Sequence, residues 1–395
     1  MKRNWVPSKA TVFIIFFLLC FIPTNVFFID GIDSIVLLIV TPLLLMFSVI
    51  KYSNCLRNRD ISLYFVWFFW VVFTSITAIN PSVSFAYLKT LAGGVMMSLI
   101  YYLLAHNEKL LPYLYAVFVV ILAAEIYYTN TAFVGYDLGL DIRANDKKLN
   151  ANSLAYMTFY SICGIYFIEE MVENKTMNIV FRIMFFLMVP VTIFVSLITA
   201  SRQVLPTSLG AWFLLFYQRY MRHMKKSNVF FIILIVIAGY FVYNKMFEPY
   251  YADSMLATRT KGTDATDTRY LVLKEALQVS SEHLLFGVGP GNFVLLSRYH
   301  IFTHNSYMEM LVSSGIIGLL LYVAIIYRFL KNQIKRYQTT NDRTFYSLFI
   351  VGLIWAVYNL LYVFYAGVYL IPFLFLMMGH SDYQYKTFRL QTYQS

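Results

Sequence analysis

Four short polar groupings interrupt an otherwise apolar chain, and their side chains are of kinds that handle anions and hydroxyl groups. The first is Arg143 with the run Asn150-Ala151-Asn152-Ser153-Leu154-Ala155. The others are Ser201-Arg202, Asp267-Thr268-Arg269 and Thr303-His304-Asn305-Ser306. A guanidinium presents a planar, charged fork that matches phosphate oxygens, so Arg202 and Arg269 are candidates for holding a diphosphate. Arg269 falls in the first turn of a helix expected from about 268 to 281, where a cation meets the positive end of the helix. An anion there relieves the opposition and also takes the free N–H groups. His304 lies just before a second helix start, marked by the capping-box spacing of Ser306 and Glu309. The positive helix end disfavours imidazolium, and a neutral ring at an aqueous boundary can accept a proton from a hydroxyl. Arg143, Asn152, Asp267 and Asn305 are secondary candidates around these three.

Each candidate has a plainer alternative. Arg202 can snorkel from a membrane boundary. Arg269 can form a solvated ion pair with Asp264 or Asp267, and His304 can be a structural hydrogen bonder. His300 and His304 have the four-residue spacing of a helical metal pair. No HExxH pattern or third ligand accompanies them, and the capping signal starts the helix after both, so no metal site is expected. Gly287-Val288-Gly289-Pro290-Gly291 reads as a tight bend, and the Lys-Ser or Lys-Thr of a nucleotide-binding loop does not follow it.

The elements that carry these residues follow from hydropathy. With 59% hydrophobic residues and a mean hydropathy of +0.63, the chain exceeds what a soluble core buries. Apolar runs of roughly twenty residues recur along it, the length a helix needs to cross a bilayer. The expected fold is an all-α integral membrane protein of about twelve spans, near 10–28, 34–50, 61–79, 86–105, 110–128, 151–168, 179–199, 204–220, 228–243, 306–327, 345–365 and 368–379. The first run follows Lys2, Arg3 and Lys9 like a secretory signal but lacks a small-residue cleavage site, so it reads as a retained helix. The reading is of one membrane domain: residues 1–243 with nine spans, a large external loop over 244–305 with an amphipathic helix, and 306–395 with three spans and a tail. That amphipathic helix is expected to present Leu273, Ala276 and Leu277 on one face.

Charge sets the orientation. The net charge of +11 is gathered in alternate loops, which points to membrane topology and away from nucleic acid. Placing the N-terminus inside assigns about 20 of the 31 Lys and Arg to cytoplasmic segments, with both termini cytoplasmic and all four polar groupings outside. Cys20, Cys55 and Cys163 offer no external pair for a disulfide.

The segment from Ser201 to about Tyr327 resembles the core of the bacterial O-antigen ligase and polysaccharide polymerase family. The similar elements are Thr199-Ala200-Ser201-Arg202, then Arg269 with its helix and Phe286-Gly287-Val288-Gly289-Pro290-Gly291-Asn292-Phe293, then His304-Asn305-Ser306-Tyr307 leading to Glu309 and Ser314-Gly315-Ile316-Ile317-Gly318. The Asn-rich opening at Asn150–Ala155 also looks like the family's. The resemblance implies metal-independent, cofactor-free transfer of a glycan from an isoprenoid diphosphate in a bacterial cytoplasmic membrane. It implies Arg202 and Arg269 on the donor diphosphate and His304 as general base or acceptor-orienting group. Implied partners are undecaprenyl-diphosphate-linked oligosaccharides as donor and acceptor, membrane lipids, a chain-length regulator and a flippase. One departure is Ser313-Ser314 before Gly315, where the family often carries an acidic residue. Polymerase and ligase share this donor chemistry, and the polymerase is favoured as the more numerous kind. The competing class is a lipid-linked oligosaccharide flippase or transporter, which calls for ionisable groups at mid-membrane depth; Glu125 and Lys89 are the evident ones.

Overall fold

The computed structural model describes residues 6–29, 31–134, 148, 150–221, 240, 244, 248, 251, 254, 256, 268–363, 365, 367 and 370–394. Arg143, Asp264 and Asp267, nearly all of the span expected over 228–243 and most of 244–267 lie outside them. Among the described residues every regular element is helical. In chain order these are α1 (Lys9–Phe28), α2 (Asp33–Leu56), α3 (Arg59–Ile76), α4 (Pro81–Leu104), α5 (Leu111–Ala132), α6 (Ala151–Met171) and α7 (Lys175–Thr199). There follow α8 (Gly210–Phe216), α9 (Thr268–Glu282), α10 (Phe293–Leu296), α11 (Ser306–Thr340), α12 (Arg343–Tyr358) and α13 (Leu370–Gln394).

Seven of the described helices, α1 to α5, α7 and α11, are long and apolar enough to cross a membrane. The expected count of twelve is met only that far among the described residues. Of the other expected spans, α6 carries Glu169 and Glu170 at its end, and α8 is a short helix between π-turns at Leu205–Leu209 and Tyr217–Met221. The 16-residue α12 is apolar but short, and the second half of α13 is charged. The polar content of α6 has a physical reason: its residues from Ala151 to Glu169 are all buried, so its neighbours are protein. They satisfy its side chains. Ser161 donates to the Phe118 carbonyl at 3.0 Å, and the hydroxyls of Thr158 and Ser208 lie 2.8 Å apart. A Cβ on Gly164 would stand 2.8 Å from the Tyr115 carbonyl oxygen, so this small residue sets how closely α5 and α6 approach.

Helix starts are marked by Asn or Asp. The side chains of Asn58, Asn80, Asn150, Asn174, Asn305 and Asp342 each accept a first-turn N–H, satisfying donors that have no partner within the helix. Two helices end on a left-handed residue, α7 at Ala200 and α11 at Asn341.

The chain forms two compact units. Unit 1 comprises Met1–Ser8, Ser34–Leu111 and Asp264–Ser395; unit 2 comprises Lys9–Asp33 and Pro112–Thr263. In unit 1, α13 packs along α4 and α11 packs along both α3 and α12. Trp67 is the centre of its aromatic core, with ring centroids 5.3 Å from Tyr64, 6.0 Å from Tyr322 and 6.2 Å from Tyr365. In unit 2, α6 packs along α7, and Trp212 stacks on Phe185 while donating to its carbonyl at 2.9 Å.

Candidate active site

In unit 1 the site begins with a break in a helix. Gly315, inside α11, has φ +69° and ψ −174°, a conformation that interrupts the backbone ladder and that an L side chain rarely adopts. Backbone groups freed in this way must find other partners, above all near lipid. They find them in the glycine-rich segment. The N–H of Val288 donates to the Val312 carbonyl at 2.8 Å and that of Gly289 to the Ser313 carbonyl at 2.9 Å. The Ile316 N–H donates to the Leu284 carbonyl at 2.8 Å, and the Trp70 indole to the Ser314 carbonyl at 2.8 Å. The approach leaves no room for side chains. A Cβ on Gly315 would lie 2.1 Å from the Leu285 oxygen, and one on Gly287 (φ +69°) would lie 2.5 Å from the Ser313 carbonyl carbon. The expected tight bend is thus also a backbone splice between segment 284–289 and α11.

The splice is anchored from below by Asn292, which is 1% exposed. Its Oδ1 accepts the Asn80 N–H at 2.8 Å and its Nδ2 donates to Ser84 Oγ at 2.7 Å, while Ser84 donates to the Pro290 carbonyl at 2.9 Å. The turn between α3 and α4 therefore holds the glycine segment in place.

His304 sits immediately before α11 with φ +53°, a left-handed conformation that costs a non-glycine residue on the order of 1–3 kcal/mol. Hydrogen bonds hold both sides of it. On one side the buried Glu309 carboxylate accepts the Thr303 N–H at 3.0 Å. On the other, Asn305 Oδ1 accepts the N–H groups of Tyr307 at 3.0 Å and Met308 at 3.1 Å. Asn305, not Ser306, is therefore the cap, one residue earlier than the capping-box reading. Ser306 is instead pinned to the end of α12, its N–H on the Asn359 carbonyl and its hydroxyl on the Tyr362 carbonyl, both at 2.7 Å. The His304 ring lies 6.2 Å from that of Tyr362. Ser313, where the family departure fell, donates to Glu309 Oε1 at 3.3 Å, so the buried carboxylate stands one helical turn earlier. His300 and His304 both precede α11, as the capping signal required. Among the described residues no group of three or more His, Cys, Asp or Glu is placed to hold a metal ion.

The external-loop helix expected at 268–281 is α9, and Arg269 occupies its first turn, half-buried. Its inward face differs by about one residue from expectation. Val272, Ala276 and Ser280 are buried, whereas Leu277 is 54% exposed. The reason is tertiary: Val272 and Ala276 complete a core with Val288, Phe293 and Val312, with Ile301 and Met308 packed against it. Glu275 closes the arrangement by accepting from Ser297 Oγ at 2.8 Å and the Arg298 N–H at 3.2 Å. One core thus carries the Arg269 helix, the glycine segment and the start of α11.

Arg202 belongs to unit 2. Left-handed Ala200 (φ 48°) ends α7 and turns the chain, leaving Arg202 exposed in the turn before Pro206 enters the next helical segment. Leu256 packs on Ala200 beneath it. The neighbouring Gln203 accepts from Tyr156 at 3.0 Å, which ties this turn to α6. Asn152, 7% exposed, is in the first turn of α6 beside Ser153, and Ser153 donates to the fully buried Glu125 at 3.2 Å. Glu125 thus lies inside unit 2, hydrogen-bonded to the Asn-rich opening.

Sequence reasoning did not reach the roles of Glu309 and Gly315. The non-helical angles of Gly315 belong to three dimensions, although Ser314-Gly315 within an apolar run was a signal that the span is interrupted.

The helices and their apolar lengths define a multipass membrane protein. Residues 183–323, which contain Arg202, Arg269, His304 and Gly315, match the family described as O-Antigen ligase. The likeness to that family covers roughly a third of the chain. No curated protein matches the chain.

Two outcomes follow for the purified protein in detergent. Gly315→Ala lowers stability by on the order of 3 kcal/mol or prevents accumulation, since the Leu285 carbonyl must move away. Glu309→Ala costs about 1–3 kcal/mol by stripping the Thr303 N–H of its partner, and Glu309→Gln, which keeps an acceptor oxygen, costs less. Thermal unfolding midpoints check both, and an unchanged midpoint for Gly315→Ala contradicts the splice.

Proposed function

We propose that this protein is an O-antigen or capsular polysaccharide polymerase. It transfers the growing glycan from undecaprenyl diphosphate to a sugar hydroxyl of another lipid-linked repeat unit, on the outer face of a bacterial cytoplasmic membrane. The observation that carries the reading is the family match over 183–323, because that one stretch contains all three residues to which the chemistry is assigned. The local geometry of His304 is in keeping with it: a residue whose strained backbone is held ahead of a helix N-terminus is ordered before substrate arrives.

In the proposed step the acceptor hydroxyl oxygen attacks the anomeric carbon and inverts it. His304 takes the hydroxyl proton as the C–O bond forms, and the bond to the diphosphate oxygen breaks with its electron pair leaving on the diphosphate. Arg202 and Arg269 stabilise that developing charge, with N–H groups at the start of α9 as further donors. The diphosphate is already a good leaving group, so positioning and charge stabilisation are asked to supply most of the acceleration. Termini on the cytoplasmic side and the three residues on the outer side follow from the distribution of basic residues.

The second reading is a ligase that transfers the glycan to lipid A-core, favoured by the description of the matching family. Deleting the gene and running surface glycans on a gel separates the two. A polymerase deletion loses the ladder but keeps one attached repeat; a ligase deletion loses all attached repeats and retains polymer on its carrier. In the complemented strain His304→Ala, Arg202→Ala and Arg269→Ala each lower glycan assembly by at least 100-fold, the order general base and charge stabilisation contribute. Wild-type ladders from all three, with normal membrane levels, reject the assignment.

A further inference from the structure

Unit 1 has a second polar end. α3 starts there at Arg59, α4 finishes there at Leu104, and α11 reaches it at Arg328, about 20 Å of helix beyond the break at Gly315. The charged half of α13 completes the wall. Between these elements opens a pocket of about 600 Å³.

Six basic side chains line the pocket, Arg57, Arg59, Arg328, Arg336, Lys386 and Arg389, against two carboxylates, Asp60 and Asp382. Both carboxylates are engaged. Asp60 accepts from Arg328 Nε at 2.6 Å and from Asn332 at 2.9 Å. Asp382 is paired with Arg336 and accepts from the Tyr102 hydroxyl at 2.7 Å and from Asn58 at 2.5 Å. These pairs hold the wall rigid. Among the described residues no carboxylate lies within ion-pair distance of Arg57, Arg59 or Lys386.

A basic belt that only follows the positive-inside rule needs exposed side chains reaching toward lipid. Here exposed Arg57, Arg59 and Lys386 border a concave space whose walls are held by part-buried hydrogen bonds, and a cleft lined by one sign of charge concentrates their field. The volume falls within the range of small-ligand sites, roughly 300–1,000 Å³. Guanidinium forks and the amide of Asn54 suit phosphate oxygens in particular.

We propose that this pocket is a binding site for a phosphate-bearing anion, held by Arg57, Arg59 and Lys386 against the ion-paired wall of Arg328 and Arg336. The chemistry is that of a phosphate or diphosphate group, on a lipid headgroup or free in solution. The site is distinct from the one that contains His304 and does not depend on the function assigned there.

The test uses the full chain in a neutral detergent. Inorganic pyrophosphate and, separately, a short-chain phosphatidylglycerol are titrated at constant ionic strength while the unfolding midpoint is followed. At least one gives a saturable rise of several degrees. The triple variant Arg57→Gln, Arg59→Gln, Lys386→Gln weakens half-saturation at least tenfold, and Lys386→Gln alone weakens it about threefold. Any rise that survives in the triple variant but falls in Arg202→Gln or Arg269→Gln belongs to diphosphate bound by those residues, not to this pocket. Response to phosphatidylglycerol alone assigns a lipid headgroup, response to pyrophosphate alone a soluble anion, and response to both the shared phosphate. No saturable rise with either probe, or unchanged half-saturation in the triple and single variants, overturns the proposal.

Discussion

A helix that stops its own hydrogen-bond ladder inside an apolar environment leaves donors and acceptors that water cannot satisfy, and each such group costs several kcal/mol. At Gly315 that debt is met by Leu284, Val288 and Gly289, which come from a segment about thirty residues earlier in the chain. Much of unit 1 depends on this exchange. The glycine segment must lie against α11, so it cannot carry side chains at Gly287. Asn292 then locks it to the α3–α4 turn, and α9 packs into the core that the splice creates.

His304 benefits from the same rigidity. Residues to either side of it are fixed by hydrogen bonds, the Thr303 N–H donating to Glu309 and the first-turn N–H groups of α11 to Asn305, so its left-handed backbone is overdetermined by its surroundings. A reactive side chain on a freely moving loop would spend binding energy on being ordered; here that ordering is built in. The opposite end of unit 1 solves a different problem. There ion pairs and amide hydrogen bonds, in place of glycine contacts, hold a basic pocket open.

Unit 2 follows the same rule of polar satisfaction with a different device. Its central helix α6 is enclosed on nearly all sides, which lets Ser153, Tyr156, Thr158 and Ser161 face protein acceptors. At its other end Glu169 accepts from Tyr220 at 2.7 Å and from Arg182 at 3.1 Å, so that carboxylate is part of the packing. The turn holding Arg202 is set by left-handed Ala200, with Tyr156 reaching across to Gln203.

The order of the described helices, and the extent of seven of the twelve expected spans to within several residues at most ends, were legible in the residues alone, although α11 runs on to Thr340. Apolar runs marked α1 to α5, α7 and α11, and the helix expected over 268–281 is Thr268–Glu282, because length, periodicity and Asn or Asp caps are local properties. The charged and polar residues offered for chemistry were legible as types, and Arg269 does occupy the first turn of its helix. The register of contacts was not. That Val272 rather than Leu277 faces the core, that Asn305 rather than Ser306 caps α11, and that Glu309 reaches back to Thr303 depends on neighbours brought in from elsewhere in the chain. Hydropathy also reads a helix as continuous through Gly315; Ser314-Gly315 marks a weak point in the run, but not that a distant backbone takes up the hydrogen bonds freed there. Only tertiary structure supplies those partners, so only it could decide where the helix breaks and how His304 is held.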